Sequence, residues 1–185
     1  MTVKIVTDST SDLPQELIEE FGITVVPAYV QFGGKTYRDG VDISQDEIYH
    51  KMVNDNIIIK TSQPPPGDFI AVYKKLLEEA NEIISLQVTS KLSGIYNSAV
   101  QAKEMIGAGK RIEVVDSMST SMGLGLTTLS AARMAQAGDG MIEIMEEIKS
   151  SLARTHLWGI FDTLKYLLLG GRIGKAKALL GGMLR

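Results

Sequence analysis

Small hydroxyl side chains fall in four groups along this 185-residue chain: Thr7/Ser9/Thr10/Ser11, Thr61/Ser62, Thr89/Ser90/Ser93 and Ser117/Ser119. Each group lies at or just past the end of a run that reads as a strand, or in a loop that opens a helix. In an open parallel sheet such strand ends share one edge, and ligands bind there. Hydroxyls beside helix N-termini can hold an anion through O–H and backbone N–H donors. The same residue types also cap helices, which is the plainer reading for any one group. Four groups together favour a pocket, whose ligand the spacing leaves open.

Catalytic readings find less support. Of the two histidines, His50 lies in a helical stretch and His156 opens an apolar run; a surface place is expected for the first and a structural one for the second. No G-x-S-x-G elbow is present for serine hydrolysis. Asp8-Ser-Thr10 lacks a second carboxylate at its third position, against an aspartyl-phosphate enzyme. Asp8 and Asp116 could share a Mg²⁺, with capping the expected use. Gly123-Leu-Gly125 lacks the third glycine of a dinucleotide fingerprint. Gly170-Gly-Arg-Ile-Gly174-Lys175 has three residues between its outer glycines and no following Ser/Thr, so it reads as a turn and not a phosphate loop. No catalytic residue, metal site or cofactor is expected.

The elements that must position these groups follow from periodicity. Val3–Val6, Glu82–Val88 and Arg111–Val115 read as strands, as do Thr24–Val26 and Tyr29–Phe32. Gly33-Gly34 turns the last of these into a hairpin with Lys35–Tyr37. Helices are expected at about 14–21, with Asp12 or Ser11 as its cap, and at Gln45–Val53 behind the capping box Ser44-x-x-Glu47. Others are expected at Phe69–Ala80 with Asp68 as cap, at Tyr96–Ile106, at Thr120–Ala137 and at Met141–Leu152. His156–Phe161 reads as a further strand. The alternation predicts an α/β fold, a mainly parallel sheet flanked by helices. Residues 1–161 form that domain. Residues 162–185, a leucine-rich helix, a glycine turn and another apolar helix, read as the start of a second α/β domain.

Composition sets the class. The chain is 44% hydrophobic and 22% charged with a net charge of −3, too apolar for disorder and without the basic footprint of nucleic-acid binding. It has no cysteine, which excludes disulfides, thiolate metal sites and a cysteine nucleophile. No signal peptide or apolar run of membrane-spanning length is evident, so a soluble, cytoplasmic protein without stable membrane insertion is expected.

Several motifs together resemble one family. Asp8-Ser-Thr-Ser-Asp12, Lys60-Thr-Ser-Gln-Pro64 with Gly67-Asp-Phe69, Leu92-Ser-Gly-Ile-Tyr-Asn97, Val115-Asp-Ser117 and Gly170-Gly-Arg-Ile173 occur in the order found in DegV proteins. That resemblance implies two α/β domains with a fatty acid buried between them. It implies a non-catalytic carrier, similar to the carrier subunit of fatty acid kinase, that presents a long-chain fatty acid such as palmitate to a separate kinase subunit. By the same resemblance Thr61 and Ser93 hold the carboxylate, with Ser62 and the backbone of Gly94 as further ligand-binding positions.

Family members normally continue well past residue 185, so a C-terminally truncated protein is expected, lacking most of one wall of the lipid tunnel. The apolar Leu179, Leu180 and Met183 need a surface over them, from the first domain, from further residues or from a second copy as a homodimer. Two alternatives stay beside the carrier. One is a small-molecule kinase or phosphotransferase domain related to dihydroxyacetone kinases, although neither histidine lies in a strand-end hydroxyl loop. The other is a remnant without ligand.

Overall fold

A computed structural model describes residues 2–107, 109 and 111–174. Its centre is β1 (Val3–Asp8), whose alternation is nearly lost because five of its six residues are buried. Such a run marks a strand covered on both faces, as parallel sheets require. β6 (Glu82–Gln87) is buried along its whole length. With β2 (Thr24–Val26) and β7 (Arg111–Asp116) they make a four-stranded, all-parallel sheet in the order β2-β1-β6-β7. The expected fold class holds.

The crossovers supply the layers. α3 (Pro66–Glu79) buries Phe69, Tyr73 and Leu76, one stripe at helical spacing. It packs on α4 (Ile95–Ile106), and α5 (Ser121–Ala137) packs on α6 (Met141–Arg154), the two pairs enclosing the sheet. Ile83, Ile84, Leu86, Ile112, Leu124, Ile144 and Ile148 fill the space between. α5 owes its close approach to small residues: a Cβ on Gly125 would overlap the carbonyl oxygen of Ser11 and press on Leu13. Among the described residues no helix is long and apolar enough to cross a membrane.

Between β2 and α3 the chain builds a second sheet. β3 (Tyr29–Phe32) pairs antiparallel with β4 (Lys35–Arg38), the expected hairpin, and on its other side with β5 (Lys60–Ser62). α2 (Gln45–Val53) lies between β4 and β5 in sequence and opens on the expected capping box. Asp42 closes the hairpin end by accepting from the backbone N–H, Nε and Nη2 of Arg38 at 2.9, 2.9 and 2.8 Å. Tyr29 ties this sheet to the first domain layer by donating to Asp68 Oδ2 at 2.6 Å.

Some expectations are corrected. β5 was not read as a strand. α1 (Gln15–Glu20) begins at Pro14 without a side-chain cap; Asp12 is left-handed at φ 51° and accepts instead from Ser121 Oγ at 2.6 Å. Asp68 lies inside the first turn of α3, whose N-cap is Pro65, because its carboxylate is engaged by Tyr29. His156–Phe161 forms no strand and pairs with none of the described strands; Trp158 is 89% and Ile160 98% exposed. His156 is therefore exposed and not structural. The leucine-rich helix is α7 (Lys165–Leu169), and the helix expected from Lys175 onward lies outside the described residues.

Two predictions follow from this packing. Gly125→Ala should destabilise the protein, since overpacking against backbone costs about 1–3 kcal/mol and outweighs the roughly 1 kcal/mol gained in helix propensity; thermal unfolding should show a lowered Tm. The hydrogen bonds from Arg38 hold Asp42 down from 3.8 to about 2. A depressed folded-state value means that the stabilisation is present above the unfolded value and disappears as pH falls through the folded one. The stability difference between wild type and Asp42→Asn should therefore be constant above about pH 5 and vanish near pH 2, as followed by denaturant titration across that range.

Candidate functional site

In the order β2-β1-β6-β7 the chain moves from β1 to one side and then returns to the other, so the direction of winding reverses between β1 and β6. The crevice at the C-terminal ends of these two strands is where open α/β sheets place ligands. Three of the four hydroxyl groups lie along this edge: those after β1, after β6 and after β7. The fourth does not. Thr61 and Ser62 stand on β5, where Thr61 pairs with Val30 and Ser62 with Tyr29, so the expectation of one shared sheet edge is corrected.

Several hydroxyls at the parallel edge are engaged by the backbone. Ser9 Oγ accepts from the Ala28 N–H at 3.0 Å, and Thr89 Oγ1 accepts from Lys91 N–H at 3.3 Å. Ser117 Oγ donates to the Ser119 carbonyl at 3.0 Å and accepts from the Ser119 N–H at 3.1 Å. The two carboxylates weighed as a metal pair are likewise engaged. Asp116 accepts from the N–H of Met118 at 2.9 Å and of Ser90 at 3.2 Å. Asp8 takes backbone N–H groups from Thr10 and Val88. Burial pushes the Asp8 carboxyl above its usual range, against the pull of those hydrogen bonds. Asp39 is also raised by burial, opposed by Ser9.

The Ser93 loop differs from these. Ser93 is half-buried, and its Oγ accepts from the Ile95 N–H at 3.3 Å, which leaves its own O–H to donate elsewhere. Gly94 is the N-cap of α4 and supplies no side-chain cap, so the helix presents its positive end beside Ser93. β5 reaches this loop through its next residue. A Cβ on Gly94 would overlap Gln63 Oε1, so the end of the Thr61-Ser62-Gln63 run lies directly against the Ser93-Gly94 backbone. Thr61 is exposed, and Ser62 accepts from Gln31 Nε2 at 3.2 Å.

A third segment meets the same loop. Arg172, just past α7, donates from Nε to the Leu92 carbonyl at 3.3 Å and from Nη1 to the Gly170 carbonyl at 2.6 Å. Reading the sequence for chemistry passed over Arg172, since its glycine motif was weighed only as a phosphate loop and then as a turn. The signal was an arginine at the end of an apolar helix. The Ser93 hydroxyl, a helix N-terminus and a guanidinium thus lie around Leu92–Gly94, an arrangement suited to a carboxylate or another anion.

The apolar surface is distributed differently. A groove of about 640 Å³ lies between β7 and α6, with Met141, Met145, Ile148 and Leu152 among its walls. A smaller cavity of about 400 Å³ lies beside Ser9, Asp12 and Asp39. Neither is lined by Thr61 or Ser93. The segment that precedes Arg172 in sequence is apolar, and its Leu157, Trp158, Ile160, Phe161 and Leu168 are all exposed.

Comparison with known proteins agrees with this fold. A family described as "Uncharacterised protein, DegV family" matches residues 2–185. A DegV domain-containing protein of Caldanaerobacter subterraneus subsp. tengcongensis is 41% identical over 182 residues, covering 98% of this chain and 64% of the relative. A solved structure described as "Fatty Acid Binding of a DegV family Protein from Thermus thermophilus" matches with a TM-score of 0.83 and 41% identity, over 100% of this chain and 65% of that one. DegV of Bacillus subtilis, described as a fatty acid binding protein, matches with a TM-score of 0.90 and 29% identity, over 100% of this chain and 66% of its own. The chain thus spans a little under two thirds of the length of these proteins. The chain belongs to the DegV family.

Proposed function

We propose that this chain binds a long-chain fatty acid such as palmitate, with the carboxylate at Thr61 and Ser93, and serves as a non-catalytic carrier. One observation carries the reading: the ends of β5 and of the β6–α4 loop meet at Gln63 and Gly94, with Arg172 on the same loop. The fatty acid named for the Thermus thermophilus and Bacillus subtilis proteins supplies the ligand class. Ser62 and the Gly94 backbone complete the head-group surface. The carrier would present its head group to a cytoplasmic fatty acid kinase subunit, which supplies the chemistry. Residues 1–161 are assigned to a first domain and 162–185 to the opening of a second, whose exposed apolar surface is also the candidate contact for a second copy.

Magnitudes divide the labour. Burying about ten methylenes contributes roughly 8 kcal/mol before association costs. A hydrogen bond to a charged group adds roughly 1.5–3 kcal/mol. The tail sets most of the affinity, while the hydroxyls set orientation and head-group selectivity.

Thr61→Ala or Ser93→Ala should weaken palmitate binding about tenfold to a hundredfold, with thermal unfolding unchanged. Equal affinity in both variants and wild type would remove these residues from the site. Trp158, the single tryptophan and 89% exposed, reports on the tail. Palmitate should shift its emission to the blue as the indole leaves water, and an unchanged spectrum at saturating lipid would place the tail elsewhere. Solvent extraction of purified protein followed by mass spectrometry should recover a fatty acid. A phosphorylated triose would favour the kinase-like alternative, and an empty protein the remnant.

A further inference from the structure

The Asp8–Asp12 motif has no part in the head-group reading, yet its first residue sets a buried carboxylate at the β1/β6 reversal described above. Asp8 ends β1 and is 0% exposed. A buried carboxylate is expensive unless fully hydrogen-bonded, and an aliphatic side chain would fill this place without that cost. Here the carboxylate reaches across the crevice. Oδ2 accepts from the Val88 N–H at 2.8 Å, and Oδ1 accepts from the N–H and Oγ1 of Thr10 at 2.9 and 2.6 Å.

Val88 is the first residue past β6, and everything up to Ser93 hangs from it. Thr89 N–H donates to the Ser119 carbonyl at 2.9 Å, and the Thr89 carbonyl in turn accepts from the N–H of Leu92 at 3.0 Å and of Ser93 at 3.1 Å. The loop is therefore a compact turn suspended from two fixed points, Asp8 on one side and Ser119 on the other. Either point sets where Thr89 lies, and Thr89 sets where Ser93 lies. Asp8 occupies the crevice in which a ligand would otherwise sit, and so moves the usable site outward onto that turn.

We infer that Asp8 is a positioning residue for the Ser93 head-group site: its carboxylate, bridging Val88 and Thr10, holds the Thr89–Gly94 turn where the Ser93 hydroxyl can donate to a bound carboxylate. The inference rests on the proposed fatty-acid reading. Asp8 touches no ligand itself. Its effect is confined to the head group, because the turn carries Ser93 and not the apolar segment at Leu157–Leu169.

The test compares palmitate with hexadecanol, which has the same tail without the carboxylate, on the full 185-residue chain. Asp8→Asn keeps the size but sets an N–H₂ donor against either Val88 or Thr10. It should weaken palmitate about five- to tenfold and hexadecanol less than about twofold. A structural role alone would lower Tm and weaken both ligands in parallel, or change neither. Thr10→Val, which removes one donor and leaves the Val88 contact, should give the same selective loss at about two- to threefold; it decides the matter if Asp8→Asn does not fold. Ser93→Ala separates the two levels of the argument. If Ser93→Ala loses palmitate selectivity and the Asp8 and Thr10 variants do not, the positioning role is wrong and the head-group site stands. If Ser93→Ala leaves the palmitate-to-hexadecanol ratio unchanged, or wild type binds neither, both are wrong. The double variant Asp8→Asn/Ser93→Ala should bind palmitate no worse than Ser93→Ala; additive losses would show that Asp8 acts on something other than Ser93.

Discussion

The bond from the Val88 N–H to the buried Asp8 carboxylate is the constraint from which the rest of this edge is built. A parallel sheet whose winding reverses between two strands must leave their C-terminal ends splayed, with backbone N–H groups facing a crevice. Here the crevice is filled from within, by a side chain of the first strand. The neighbouring turns repeat the device on a smaller scale, with Asp116 taking Ser90 and Met118 and Asp12 taking Ser121. The sheet edge therefore arrives with most of its donors already satisfied, and what it can offer a ligand is narrowed to the turn that carries Ser93.

That narrowing explains why a second sheet is needed. The parallel edge alone presents half-buried hydroxyls, Ser93 among them, and the N-terminus of α4. Gln63, the residue after β5, comes from outside the parallel sheet, and its close fit over Gly94 needs a residue without a side chain at the N-cap of α4. Arg172 closes the third side from a distant part of the chain. Segments about thirty and about eighty residues away converge on one turn through the side chains of Gln63 and Arg172. The apolar run Leu157–Leu169, just before Arg172 in sequence, exposes Leu157, Trp158, Ile160, Phe161 and Leu168, surface of the kind the tail of the proposed amphiphile would cover.

How much of this was legible in the sequence depended on what held each element. β1 and β6 were plain because strands buried on both faces must be continuous apolar runs, and α2 because a capping box is a local device complete in four residues. β5 was not, since Lys60-Thr-Ser62 is short and polar and is a strand only by pairing with β3 thirty residues earlier. His156–Phe161 failed in the opposite way: its composition suits a strand, but strand structure needs pairing, and the segment pairs with none of the described strands. Thr61 and Ser93 could be named from their motifs. That Thr61 stands on the second sheet and Ser93 on a loop after the first, that Asp12 and Asp68 serve distant hydroxyls and not their own helices, and that Arg172 belongs with Leu92 were properties of the fold.

The central claim is that an ionised carboxylate is held by hydroxyl, amide and guanidinium donors at the Ser93 turn. Palmitate labelled with ¹³C at its carboxyl carbon tests it directly by NMR across a pH titration of the complex. Donors to the charged form lower a carboxyl's titration midpoint. Wild type should give a bound resonance that titrates at lower pH than the same resonance in Ser93→Ala. Identical midpoints in the two proteins, or a carboxyl that titrates as it does in free lipid, would contradict the account.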